Sequence, residues 1–144
     1  MGLSLGRSGN QGYQTGYLRS GAWFDRRRAW FTAVEARGQQ VACLVCGSEQ
    51  GLDLHHVDYD GVWQAGDGSW IAGENDEDLM LLCRGCHEDL HDELDRRRRD
   101  FWGWDRRRAS AVLVAGLRRV RLGGGARAAG AGPDQQKRSR GRRR

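Results

Sequence analysis

Two pairs of cysteines constrain this chain more than any other feature of its 144 residues. Cys43-Leu44-Val45-Cys46 and Cys83-Arg84-Gly85-Cys86 contain all four cysteines of the protein. A C-x2-C turn is tight enough to bring two sulfurs to one point. Two such turns supply the four thiolates of a closed tetrahedral zinc site. The long gap between them lets a separate element be pinned in place. Two disulfides, or four thiols in a core, are the competing arrangements. No apolar leader of the secretory kind precedes the pairs, so a cytoplasmic, reducing setting is expected, and there the pattern favours metal. Cys83-x2-Cys86-His87 also fits c-type haem attachment. That arrangement would require export and leave Cys43 and Cys46 without a role.

The four histidines fall in the same stretch, as an adjacent pair, His55-His56, and a spaced pair, His87 and His91. The segment from Cys86 through Leu90 to Leu94 has helical spacing, and positions i and i+4 share a helix face. His87 and His91 can therefore reach one cation. His55 and His56 end a predicted strand, Leu52 to Val57, where neighbouring side chains point in different directions. One of them can ligate the cation while the other stays unligated, and an unligated neutral imidazole beside a metal-bound phosphate is a good general base. Surface histidines, or ligands of a second structural zinc, are the plainer alternative.

The run Cys43-x2-Cys46, Leu54-His55-His56-Val57-x-Tyr59, Asp78-Leu79-x2-Leu82-Cys83-x2-Cys86-His87-x3-His91 resembles the HNH endonucleases, in the subgroup with a four-cysteine zinc site. The resemblance covers residues 43–91 and extends weakly back over Tyr17-Leu18-Arg19-Ser20 and Trp23. It implies an α+β fold, a zinc-stabilised ββα-metal finger of two strands and a helix around one divalent cation. It implies that His55, His87 and His91 hold that cation, that His56 is the general base, and that Cys43, Cys46, Cys83 and Cys86 hold a structural zinc. Asp78 stands where the family has an asparagine that anchors the base-carrying loop. An ionised aspartate accepts hydrogen bonds but cannot donate them. Asn75, three residues upstream, is the alternative anchor.

Charge is laid out in blocks beneath a net +5. Residues 1–42 carry six basic and two acidic groups, residues 43–95 one basic and 14 acidic, and residues 96–144 17 basic and three acidic. Basic arms around a carboxylate-rich centre predict contact with the phosphate backbone of DNA. Arginine outnumbers lysine heavily, which fits phosphate recognition. With 22 glycines and 38% hydrophobic residues, a small core needs a metal to stabilise it.

In chain order, residues 1–16 read as a mobile leader, 17–121 as the nuclease domain with its motif core at 43–95, and 122–144 as a disordered basic tail. Trp23, Trp30, Phe31 and Val34 predict an amphipathic helix over 21–37 that packs on the zinc knuckle. Arg26, Arg27 and Arg28 on it face either DNA or solvent. Residues 47–77 read as a hairpin region with strand pieces at Val62-Trp63 and Trp70-Ile71. A metal helix is expected from 84 to about 100, ending in Arg96 to Arg99, and a second helix over about 105–121. No run is apolar enough to span a membrane.

The function expected on these grounds is metal-dependent hydrolysis of DNA phosphodiester bonds, with His56 as base and Mg2+, Mn2+, Ni2+ or Zn2+ as the catalytic cation. A non-catalytic zinc module that binds nucleic acid is the alternative. The arms also suit docking to a larger packaging or restriction assembly.

Overall fold

The computed structural model describes residues 15–123. It is a small α+β fold in which a two-stranded antiparallel sheet divides two half-cores. Helix α1 spans Gly21–Ala36. Strand β1, Leu52–His56, pairs with β4, Leu79–Cys83, in the register Leu52↔Cys83, Leu54↔Leu81, His56↔Leu79. Between them a separate hairpin joins β2, Val62–Gln64, to β3, Trp70–Ala72, followed by a single 3-10 turn at Asp76–Asp78. Helix α2, Arg84–Arg96, follows β4 directly, and α3 spans Arg106–Gly123.

Helix α1 starts where it does because the Ser20 hydroxyl accepts a hydrogen bond from the Trp23 amide, satisfying one of the orphan donors of the first turn. It stops at Ala36, two residues before Gly38, whose φ of +64° few other residues tolerate. Val34 is buried, and Trp23 is buried in a cluster against which Trp30 and Phe31 lie half-buried. That cluster is not the zinc knuckle, as expected, but Tyr17, Leu54, Val62, Leu79 and Leu81 on one face of the β1–β4 sheet. The other face carries Leu82, which joins Cys43, Val45, Cys86, Leu90, Leu113 and Val114 under α2 and α3. The period of two along a strand produces this division: Leu54 and Leu81 pair and face α1, whereas Leu82 faces α2.

The hairpin region differs from expectation. β1 finds its partner in residues 79–83, a run with no expected strand, and the 57–78 segment is an insertion with its own small sheet. A continuous apolar run next to a helix start reads equally well as either element. The insertion is closed at its base by the Val57 amide donating to the Asp78 carbonyl at 2.7 Å. It is cinched again where Gly73 donates to Gly61 at 3.0 Å. The backbones approach so closely there that a Cβ on Gly61 would sit 2.3 Å from the Gly73 carbonyl oxygen. Only glycine permits that neck.

Helix α2 stops at Arg96, short of the expected 100, and turns carry the chain through Phe101. The proposed leader 1–16 and tail 122–144 lie outside the described residues, apart from Thr15 and Gly16, which begin a helical turn, and Leu122 and Gly123, which end α3. No helix among the described residues is long and apolar enough to cross a membrane.

Candidate metal centres and the His56 pocket

Four sulfurs converge at one end of the β1–β4 sheet. Cys43 and Cys46 come from a knuckle tied to β4 by the Leu44 amide, which donates to the Leu81 carbonyl at 2.9 Å. Cys83 ends β4 and Cys86 lies in the first turn of α2. All four Sγ atoms lie within 4.8 Å of one another, and Cys46 and Cys83 are 3.6 Å apart. A disulfide requires about 2.05 Å, whereas sulfurs about 2.3 Å from a tetrahedral zinc stand about 3.8 Å from each other. The spacing fits zinc, and all four thiols are free. Burial pushes the Cys43 thiol up, but amides of the two knuckles, Cys46 and Cys83 foremost, outweigh it and bring it down to about 6. Burial raises the Cys86 thiol. The knuckle amides thus already favour one thiolate, the form a metal requires.

The second group is made of imidazoles. His55 leaves β1 on the face that looks at α2, where His87 and His91 sit one turn apart. His55 Nδ1 is 3.0 Å from His87 Nε2, and His91 Nε2 is 3.2 Å from the same nitrogen. Nitrogens about 2.0–2.1 Å from a tetrahedral cation stand about 3.3 Å apart. Asp53, two residues before His55 and therefore on the same face of the strand, places Oδ2 at 3.5 Å from His87 Nδ1. A proton on Nδ1 leaves Nε2 with its lone pair aimed at the other two rings, the arrangement that carboxylates commonly impose on ligating histidines. Burial, together with the neighbouring His87 and His91, pulls His55 down to about 3, so its ring is neutral and free to ligate. The group is open on one side: His55 is buried, His87 half-buried and His91 exposed. Three imidazoles with an accessible remainder could hold a divalent cation and leave positions for other oxygen or nitrogen donors.

His56 does not join this group. It points to the opposite face of β1, and its side chain is 2% exposed. Tyr59 stacks on it with ring centroids 4.3 Å apart and planes at 10°, and the Trp23 ring lies 4.4 Å away. Its Nε2 is 3.0 Å from Glu74 Oε1, which also accepts the Tyr17 hydroxyl at 2.7 Å. Burial works against the Glu74 carboxylate, but these two hydrogen bonds hold it below the usual range. Tyr17 is pushed up by its burial and by Glu74.

Asp78 is fully buried. Its carboxylate is gripped by Arg107 of α3, through Nε at 2.5 Å and Nη2 at 2.8 Å. The fork of the guanidinium, with the Asn75 side chain also donating, keeps it below the ordinary aspartate range against its burial. The His56-bearing strand end is anchored by the Asp78 backbone carbonyl, on Val57, and the side chain faces α3. Arg26 is largely turned away from bulk solvent. It donates to the Glu74 carbonyl at 3.0 Å and to Asp76 at 2.6 Å.

Asp53, Glu74 and Arg107 were not legible as functional residues in the sequence. Asp53 could have been found from its i−2 relation to His55 on a strand. Glu74 stands among glycines and acidic residues with no local signal, and Arg107 is one of many arginines. Comparisons with protein-family models, curated proteins and solved structures gave no match.

Proposed function

We propose that this chain is a metal-dependent HNH-type endonuclease that hydrolyses DNA phosphodiester bonds. The observation that carries the reading is the contrast between the two ligand groups. The four sulfurs form a complete set of four ligands, two of them buried in the core under α2 and α3 and two at its edge, as structural zinc sites do. The three imidazoles, His55 on β1 and His87 and His91 on α2, form a set open to solvent on the His91 side, as catalytic sites do. A divalent cation bound there would polarise a phosphoryl oxygen and stabilise the departing 3′ oxygen.

The chain's own residues supply the rest. His55, His87 and His91 would hold the cation, with Asp53 Oδ2 standing 3.5 Å from the outer nitrogen of His87. His56 takes a proton from water as the water oxygen bonds to phosphorus and the bond to the 3′ oxygen breaks. That oxygen then collects a proton from solvent. Asp78 acts through position: clasped by Arg107, it holds the strand end that carries His56. Basic residues flanking the motif, including the exposed Arg98 and Arg99 in the turn after α2, attract the DNA backbone without reading its sequence.

One observation favours a second reading, a non-catalytic zinc module that binds nucleic acid. A general base needs water within hydrogen-bond reach, and the His56 side chain is 2% exposed. Nicking of supercoiled plasmid across a series of Mg2+, Mn2+, Ni2+ and Zn2+, with and without chelator, separates the two. Metal-dependent cleavage that falls by about 10²–10⁴ in His56→Ala is the expected result. DNA binding with no cleavage under any metal would establish the module instead.

A further inference from the structure

Glu74 is 4% exposed and carries a carboxylate into a pocket otherwise built from rings. Its Oε1 takes two donors, the Tyr17 hydroxyl and His56 Nε2, while Oε2 is buried with no partner. Burying a carboxylate this way is costly, and an apolar side chain of the same size would fill the space at less expense. The fold nevertheless fixes it firmly. The Gly61–Gly73 neck sets the backbone immediately before it, and Arg26 binds its carbonyl at 3.0 Å. Such an investment points to the group it touches.

An ionised carboxylate only accepts hydrogen bonds. The nitrogen facing Glu74 must therefore carry the proton, and in a neutral imidazole the other nitrogen then holds the lone pair. Exchanging the two would require the ring to turn over between Tyr59 at 4.3 Å and Trp23 at 4.4 Å. We propose that Glu74 is the positioning residue of His56, fixing it as the Nε2–H tautomer so that Nδ1 is the nitrogen that accepts the proton from water. Tyr17 in turn holds Glu74 in place. The inference rests on the reading of His56 as general base.

The test is imidazole 15N spectroscopy of the zinc-loaded full-length chain, paired with plasmid-cleavage kinetics. Wild type is expected to show His56 with a protonated Nε2 and a bare Nδ1. In Glu74→Gln the tautomer preference is expected to weaken and kcat to fall about 100-fold, the lower end of what a misplaced base forfeits, with KM unchanged. Glu74→Asp is expected to recover part of that loss. A wild-type ring protonated on Nδ1, or Glu74→Gln with wild-type kcat, would overturn the proposal. If Glu74→Gln does not fold, the wild-type spectrum alone decides. Failure of the nuclease reading has a separate signature, wild-type protein that cuts no DNA with any metal.

Discussion

His55 and His56 are neighbours in the chain and contact opposite halves of the molecule. His55 Nδ1 lies 3.0 Å from His87 on α2, and His56 Nε2 lies 3.0 Å from Glu74 on the α1 side of the sheet. The pleat of β1 alone produces this division. One residue of slip between β1 and β4 would exchange their places and dismantle both arrangements.

The same alternation puts Asp53 beside His55, within reach of His87 Nδ1. Removing it leaves the three imidazoles in place but frees the His87 ring. Asp53→Ala is expected to weaken cation binding at the imidazole group about 10- to 100-fold, by calorimetric titration with Mn2+ or Ni2+. Zinc held by the four sulfurs should be unaffected.

Cys43 and Cys86 are buried in the half-core that joins β4, α2 and α3, and Cys46 and Cys83 lie half-buried at its edge. Zinc there would contribute folding free energy directly, of the order of 10–16 kcal/mol in small zinc domains near neutral pH. Stripping the metal with a strong chelator should collapse α2 and α3, read as loss of helical circular dichroism. Restoring zinc should restore it. An unchanged spectrum after complete zinc removal would show that the apolar contacts around Leu82, Leu90 and Leu113 suffice.

Much of this was legible in the chain itself. The two C-x2-C pairs and the His87–His91 spacing place their ligands by local geometry alone, and α1, α2 and α3 follow from apolar periodicity. What was hidden is what the insertion brings back. β4 carried no expectation of its own because a short apolar run has no period that marks it as a strand. Glu74 reaches His56 only because Gly61 and Gly73 cinch the insertion, a contact 18 residues apart in sequence. Arg107 meets Asp78 across 29 residues and looks like every other arginine until the fold is known.

That last pair has a pH signature. Arg107 and Asn75 hold the Asp78 carboxyl below its free value of 3.8 despite burial. A carboxylate depressed in the folded state contributes stability that is fully present above its unfolded value and is lost as pH falls through its folded one. Asp78→Asn should therefore be less stable than wild type at neutral pH, by a margin that stays constant down to about pH 4 and narrows below it. Denaturant unfolding of both proteins at a series of pH values measures the margin. A gap that widens on acidification would refute the ion pair as its source.

In the proposed function, the imidazole group would hold the catalytic cation independently of zinc at the four sulfurs. His87→Ala tests it most directly, with zinc content and plasmid cleavage measured on one preparation. Predicted are zinc retained at the four sulfurs, a native circular dichroism spectrum, and cleavage lost under every metal that supports the wild type. Cleavage by folded, zinc-containing His87→Ala at the wild-type rate would contradict the account.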